Sequence, residues 1–142
     1  MTVVVESPPS GNTPELHWTK GIGCERLGER IAQDVERPEW AIVLYFYAAL
    51  HYTKARLIAE HGVWSSRHAQ HRDSSTVYMG HNDLVREYLG RQVFKPYKQL
   101  YDLGREVRYR FTYDAGKVTE TVQEAYEDLG AIRAAVRQQG WQ

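Results

Sequence analysis

The chain has 142 residues, a length that suits a single domain with its own hydrophobic core. Lysine and arginine together number 18, as do aspartate and glutamate, so the formal net charge is zero and no global attraction to nucleic acid or to an anionic membrane is expected. Cys24 is the single cysteine, which excludes an intramolecular disulfide and a cysteine-based zinc site.

Residues 1–14 are predicted to form a flexible lead-in, because three prolines and a glycine interrupt regular structure there. Only residues 3–5, three valines, are suited to a short strand. The segment lacks the basic and apolar regions of a secretory signal, and no stretch approaches the roughly 20 apolar residues of a membrane helix. We therefore expect a cytoplasmic protein without a membrane span.

The first two helices differ in how clearly the sequence predicts them. A weak helix is predicted between about residues 16 and 35, beginning only after Gly23, because each of its three glycines costs up to ~1 kcal/mol in a helix interior. The strongest helix is predicted from Pro38 to about His61, where apolar residues recur at spacings of three and four. Its first half is apolar nearly all round, which indicates a central helix, and Gly62 is its predicted stop.

The second half of the chain is predicted to hold a loop and three more helices. Residues 63–78 are polar and lack a clean period, which predicts a long loop with at most a turn of helix. Helices are predicted over about residues 82–90, 95–113 and 119–139. Four or five helices joined mostly by short turns predict an all-α antiparallel bundle, with one domain over residues 15–142 and no β-domain.

Four stretches, in this order, carry a family resemblance. They are residues 40–55 (WAIVLYFYAALHYTKA), 66–73 (SRHAQHRD), 100–110 (LYDLGREVRYR) and 118–136. They resemble the second helix, the basic loop, the later helix and the closing helix of HEPN domains (higher eukaryote and prokaryote nucleotide-binding domains). The similarity covers about residues 36–136.

The resemblance implies a bundle of four to five helices, usually dimeric, in bacterial proteins tied to RNA cleavage, nucleotide binding, toxin–antitoxin pairs or phage defence. Active ribonucleases of this family carry an arginine, a polar residue and then a histidine four to six residues beyond the arginine. This sequence departs from that pattern: only three residues separate Arg67 from His71, and no histidine follows His81. The departure favours a non-catalytic binding module.

The polar loop holds the best local candidates for phosphate contact: Arg67, His68, His71 and Arg72. Guanidinium groups bind phosphate bidentately, and a histidine beside them can transfer protons, a combination that RNA cleavage by 2′-hydroxyl attack requires. A catalytic site here requires these side chains to converge on one pocket. The alternative interpretation is a solvated basic loop without a ligand.

His51, in the central helix, is a further candidate acid or base, and Lys54 shares its flank. The alternative is a histidine at the edge of the core, hydrogen-bonded to a neighbouring helix.

A second basic stretch, Arg105, Arg108 and Tyr109, is predicted to bind nucleic acid together with Arg67 and Arg72, because arginine contacts phosphate and tyrosine stacks on bases. The ordinary alternative is a solvated face paired with nearby carboxylates.

The sequence has no phosphate-cradling glycine loop and no nucleophile elbow. The histidines lack the spacing of a tetrahedral metal site, so we expect neither a metal nor a cofactor.

Three hypotheses for the function remain open. The favoured one is a non-catalytic, HEPN-like module, a homodimer, that binds RNA, a nucleotide or a partner protein, as in a bacterial toxin–antitoxin or defence system. The second is a metal-independent endoribonuclease, a toxin with a variant Arg/His site. The third is a structural subunit of a larger assembly that uses the tyrosine-rich surface alone. Aromatic residues are enriched at interfaces, and a neutral protein repels copies of itself little, so self-association is plausible.

Overall fold

The computed structural model describes residues 1–34, 36–110 and 115–141. The helices are α1 (Pro14–Ile31), α2 (Trp40–His61), α3 (His81–Leu84), α4 (Arg91–Arg105) and α5 (Val118–Val136). Two π-helical turns, Val85–Leu89 and Glu106–Arg110, extend α3 and α4, and a 3-10 turn, Ala115–Lys117, precedes α5. The strands are β1 (Thr2–Val4), β2 (His71–Asp73) and β3 (Thr76–Tyr78). The mostly helical bundle confirms the predicted fold class at this coarse level, with a small sheet added.

α2 is the central helix, as the sequence predicts. It packs against α1, α4 and α5, and its side chains are buried on almost every side. Ile42, Phe46 and Ala49 are fully buried in the core that these four helices share. The helix stops at Gly62, which adopts a φ of 63°, so the prediction of a glycine stop is confirmed.

α1 begins ten residues earlier than predicted, at Pro14, capped by the Thr13 side chain. Gly21 and Gly28 face Tyr52 and Tyr45 of α2, where an added Cβ would lie 2.5 and 2.6 Å from ring atoms. The two glycines therefore form the contact surface between antiparallel helices. The predicted start after Gly23 is wrong because this packing outweighs the intrinsic helix cost of glycine.

The second half of the predicted loop over residues 63–78 forms a β-hairpin, whereas residues 63–70 contain no helix or strand. β2 pairs antiparallel with β3, and β1 pairs parallel with the other side of β3, giving the order β1–β3–β2. A further bridge joins Glu6 to Trp64. The loop prediction is wrong for residues 71–78, because three-residue strands are too short to show an alternating pattern and the third strand comes from the distant N-terminal segment.

The remaining helices lie close to their predicted positions. The helical stretch that starts at His81 ends before Gly90, and α4 begins at Arg91 and continues through its π-helical turn to Arg110. The last three positions of that predicted helix, 111–113, lie outside the described residues. α5 ends at Val136, three residues before the predicted end. No helix in the described ranges is long and apolar enough to cross a membrane.

Candidate anion-binding site

Three polar residues form a line along one side of the otherwise buried helix α2. Tyr47, His51 and Lys54 follow one another at spacings of four and three, which places them on one face. Each side chain is half-buried, whereas most positions around them are fully buried. We call these three residues the α2 stripe.

His51 is joined to α1 through a chain of hydrogen bonds. Burial, aided by nearby lysines, lowers the pKa of His17 to about 4, and burial, aided by His17 and lysines, does the same for His51. Both rings are therefore neutral at pH 7. The Asn12 Oδ1 atom accepts only, so His17 donates from Nε2 across 2.9 Å and its Nδ1 accepts from His51 Nδ1 at 3.0 Å. This chain leaves an unprotonated Nε2 on His51.

Lys54 is held by an aromatic ring and a backbone carbonyl. Its Nζ lies 3.8 Å from the centroid of the Trp64 ring and 3.4 Å from the Ser65 carbonyl oxygen, to which it donates. Burial and then the charge of Lys20 lower the pKa of Lys54 to about 8. Within the described part of the chain no ion pair is found for this ammonium group. In the described ranges its charge therefore has no carboxylate partner.

Behind the stripe, a buried network fixes the start of α3 against α2. The Thr53 hydroxyl donates to the Ala49 carbonyl at 2.8 Å, so it accepts from His81 Nε2, also at 2.8 Å. Complete burial holds the pKa of His81 well below its usual value. The Tyr97 hydroxyl donates to the Asn82 side chain at 3.0 Å. All these groups are satisfied within the bundle, which gives them a structural role.

Arg108 extends the α2 stripe toward α4. Its Nη1 donates to the Tyr47 hydroxyl at 2.9 Å and its Nε to the Gly104 carbonyl at 3.1 Å, which together fix the guanidinium plane. The same guanidinium lies 5.1 Å from the ring centroid of Tyr109, whose side chain is 70% exposed. A cation and a solvent-facing aromatic ring therefore stand side by side.

The charged groups that lower pKa values in this region are Lys20, Lys54 and Arg108. The pKa values of His17, His51, Lys54, His68 and His81 are all lowered, by burial first and then by lysines, Arg108 or other imidazoles. No carboxylate among the described residues contributes to any of these shifts. In a chain of zero net charge, this uneven distribution creates a local positive potential. We call the α2 stripe together with Lys20 and Arg108 the cationic face.

The structure separates the candidate residues of the predicted loop. Arg67 donates from Nη1 to His71 Nδ1 at 3.3 Å, and both line a groove of about 310 Å³ beside Asp73 and Tyr78. Arg72 alternates with His71 on β2, so its exposed side chain points to the opposite side of the sheet. The convergence that a catalytic loop requires is not seen.

His68 turns inward from the same segment. Its ring lies 5.6 Å from that of Phe46 and 5.7 Å from that of Tyr101, and its Nδ1 is buried without a hydrogen-bond partner in the described part of the molecule. Burial, followed by the charges of Arg108 and Lys54, lowers the pKa of its imidazole. His68 is therefore a neutral group beneath the cationic face.

The cationic face and the residues beside it include several that the sequence singled out and two that it did not. His51, Lys54, Arg108 and Tyr109 are brought together, while Arg105 lies at the edge, with its guanidinium 5.6 Å from the Tyr101 ring centroid. The contributions of His17 and Lys20 were missed. Both precede Gly23, so the predicted helix start left them outside any predicted helix. Recognising that Thr13 and Pro14 form a helix start would have placed them on α1.

No metal site is found where the structure is described. No three side chains of His, Cys, Asp or Glu in those ranges are placed to share one ion. His17, His51 and His81 are hydrogen-bonded to other side chains, and His68 packs on aromatic rings.

The chain matches no family model, no curated protein and no solved structure to a significant degree. The functional proposal therefore depends on the geometry and charge of the cationic face.

Proposed function

We propose that the chain is a binding module for single-stranded RNA, with backbone phosphates on the cationic face and a base stacked on Tyr109. The observation that carries this proposal is the grouping of Lys20, Lys54 and Arg108 around neutral imidazoles, with no carboxylate of the described residues among them. Phosphate contacts supply most of the affinity in nucleic-acid binding. Lys20, Lys54 and Arg108 are therefore the groups that we expect to contact the phosphates.

Arg108 is suited to a phosphate because its plane is already fixed. Two of its N–H groups are bound to Tyr47 and Gly104, and a guanidinium carries five such donors. Phosphate oxygens can accept from the remaining donors in a bidentate arrangement. Little side-chain entropy is then lost on binding, since these hydrogen bonds already order the Arg108 side chain.

Tyr109 explains why we propose a single strand. Exposed aromatic rings beside arginines serve as platforms for unstacked bases, at roughly 1–3 kcal/mol per base. The bases of a duplex are stacked on each other and cannot reach such a ring. The exposed ring next to Arg108 therefore favours single-stranded over double-stranded RNA.

The proposal is tested by fluorescence anisotropy with a labelled single-stranded RNA and its duplex. We expect the wild type to prefer the single strand, and Lys54→Gln and Arg108→Gln each to weaken binding by about tenfold, the equivalent of ~1.4 kcal/mol. The matched controls are Lys95→Gln and Arg86→Gln, which remove an exposed charge that does not act on the cationic face. No binding by the wild type, or equal losses in the controls, would refute the proposal.

One observation favours the second candidate, a metal-independent endoribonuclease. The unprotonated Nε2 of His51 is the form that a general base requires, and it lies on the same face as the cations. Incubation of RNA with the protein in the presence of chelator tests this directly. Cleavage that is lost in His51→Asn would make the module an enzyme, and intact RNA would leave the binding function alone.

The HEPN-like identity, the homodimer and the bacterial toxin–antitoxin or defence setting are part of the same proposal. Three of the four similar stretches support the resemblance, because they fall on helices: α2, the end of α4 with its π-helical turn, and α5. Light scattering of the purified protein tests the homodimer. If the protein does not bind RNA, a protein partner or a structural role in an assembly becomes the better hypothesis.

A further inference from the structure

Strand β1 lies at one edge of the small sheet and has an outer side that faces away from β3. Thr2 donates its N–H to the Ser75 carbonyl at 2.9 Å, and the Val4 carbonyl accepts from the residue after β3 at 3.1 Å. Because alternate residues of a strand bond toward opposite sides, the N–H and C=O groups of Val3 and Val5 face outward. Across the described ranges neither residue has a backbone hydrogen-bond partner. The β1 edge therefore presents a row of free donors and acceptors.

The side chains along the β1 edge carry no charge. Residues 1–5 read MTVVV, and the side chain of Val3 is 62% exposed. The opposite edge of the sheet differs, because Arg72 and Asp73 of β2 are both exposed there. Charged side chains on an edge strand discourage pairing with another chain, and β1 lacks this protection. The β1 edge is therefore suited to the addition of another strand.

We propose that the β1 edges of two copies of this chain pair antiparallel and join their three-stranded sheets into one of six strands. This inference rests on the homodimer of the proposed function and names its interface. In a register with the two-fold axis at Val3, each Val3 donates its N–H to the Val3 carbonyl of the other copy. Val5 then lies opposite Met1 of the second copy, where the same exchange of hydrogen bonds is repeated. Glu6 lies beyond the paired residues, so only uncharged side chains meet across the axis.

A second copy fits this edge better than a free peptide does. β3 already holds β1 extended in both copies, so little backbone entropy is lost on pairing, whereas a free peptide must first be ordered. The two-fold axis makes each copy supply the donors and acceptors that the other lacks. Uncharged strands on chains of zero net charge do not repel one another. Because the paired stretch is short, the interface is small and we expect a weak dimer with a Kd in the micromolar range.

Sedimentation velocity of the full chain at increasing concentration tests the interface, and we expect the dimer fraction of the wild type to rise. Val3→Pro removes the outward N–H but leaves the bonds of Thr2 and Val4 to β3 in place, so it should weaken the dimer by about tenfold. A wild type that stays monomeric would overturn this inference and the homodimer together. A dimer of unchanged strength in a Val3→Pro variant with the wild-type circular dichroism spectrum would overturn the interface alone. The RNA anisotropy assay reports on the binding function separately.

An exchange of charge at the two-fold axis tests the register. Val3→Lys and Val3→Glu each place like charges opposite one another, so each variant alone should be monomeric. An equimolar mixture of the two should recover the dimer, because opposite charges then face each other. Leu27→Lys is the matched control, since Leu27 is an apolar residue of α1 that is 39% exposed, and it should dimerise like the wild type. Full dimerisation of either Val3 variant alone, no recovery in the mixture, or loss of the dimer in the control would contradict the proposal.

Discussion

At the scale of single residues, the protonation of a few side chains decides the properties of the cationic face. His17 and His51 are joined by a hydrogen bond between their Nδ1 atoms, and both rings are neutral because they are buried beside lysines. Had either imidazole been charged, it would have repelled Lys54. The arrangement is therefore stable only while both rings are neutral, which links the folding of α1 onto α2 to pH.

We predict that acid weakens the fold in a defined window. The pKa of both histidines is about 4 in the folded protein and 6.5 in the unfolded chain, so between these values the unfolded state binds more protons. The folded state favours the neutral form of both rings, so this contribution to the free energy of unfolding is present above pH 6.5 and is lost as pH falls toward 4. Between pH 7 and pH 5 we expect a loss of about 2 kcal/mol, discounted for partial solvent screening.

Urea unfolding at the two pH values measures this effect. The double variant His17→Gln/His51→Asn should show a smaller difference between pH 7 and pH 5 than the wild type does. Equal stability of the wild type at both values would contradict the assignment of buried, neutral histidines.

At the scale of elements, the contact between α1 and α2 depends on two glycines. Gly21→Ala places a methyl group against the Tyr52 ring, and overpacking of this kind costs about 1–3 kcal/mol, more than the helix propensity of alanine returns. Gly23→Ala is the matched control on the same helix, since nothing lies within 4 Å of its Cβ position, and it should stabilise by about 0.5–1 kcal/mol. Thermal unfolding of both variants gives the comparison. A stabilised Gly21→Ala variant would show that α1 packs differently.

The elements also show what the sequence can and cannot predict. α2 was predictable, because its apolar residues, its length and Gly62 all indicate the same helix. α1 was only half predicted, because the helix cost of glycine is a local quantity and the packing that offsets it is not. The hairpin was missed, since its strands are short and one partner lies some 70 residues away.

Part of the site could also be predicted from the sequence, because some of its residues lie close together along the chain. His51 and Lys54 lie on one helix, and Arg108 and Tyr109 are adjacent, so local spacing indicated both pairs. The distance between the pairs depends on how α2 packs against the end of α4, where Arg108 reaches Tyr47. The separation of His71 from Arg72 depends on strand β2, whose alternation sends neighbours to opposite sides, and His68 is set apart because its ring packs inward on Phe46 and Tyr101. Neither fact follows from spacing along the chain.

At the scale of the whole molecule, a chain of zero net charge groups three of its cations, Lys20, Lys54 and Arg108, on one face. RNA binding by such a face should depend on salt through the few phosphates that it neutralises. With three cations we expect the logarithm of the binding constant to fall against the logarithm of salt concentration with a slope of about −2, from ~0.7 per phosphate. Arg108→Gln should reduce that slope by about 0.7, while Arg86→Gln should leave it unchanged. A slope near zero in the wild type would exclude phosphate contact.

The measurement that tests the central claim most directly is where RNA contacts the protein. Backbone amide resonances can be followed by NMR during titration with a short single-stranded RNA. We predict that the largest shifts fall on His51, Lys54 and Tyr109, with little change at Arg67 and His71 in the hairpin groove. Shifts confined to the hairpin groove would contradict the assignment of the cationic face as the binding site.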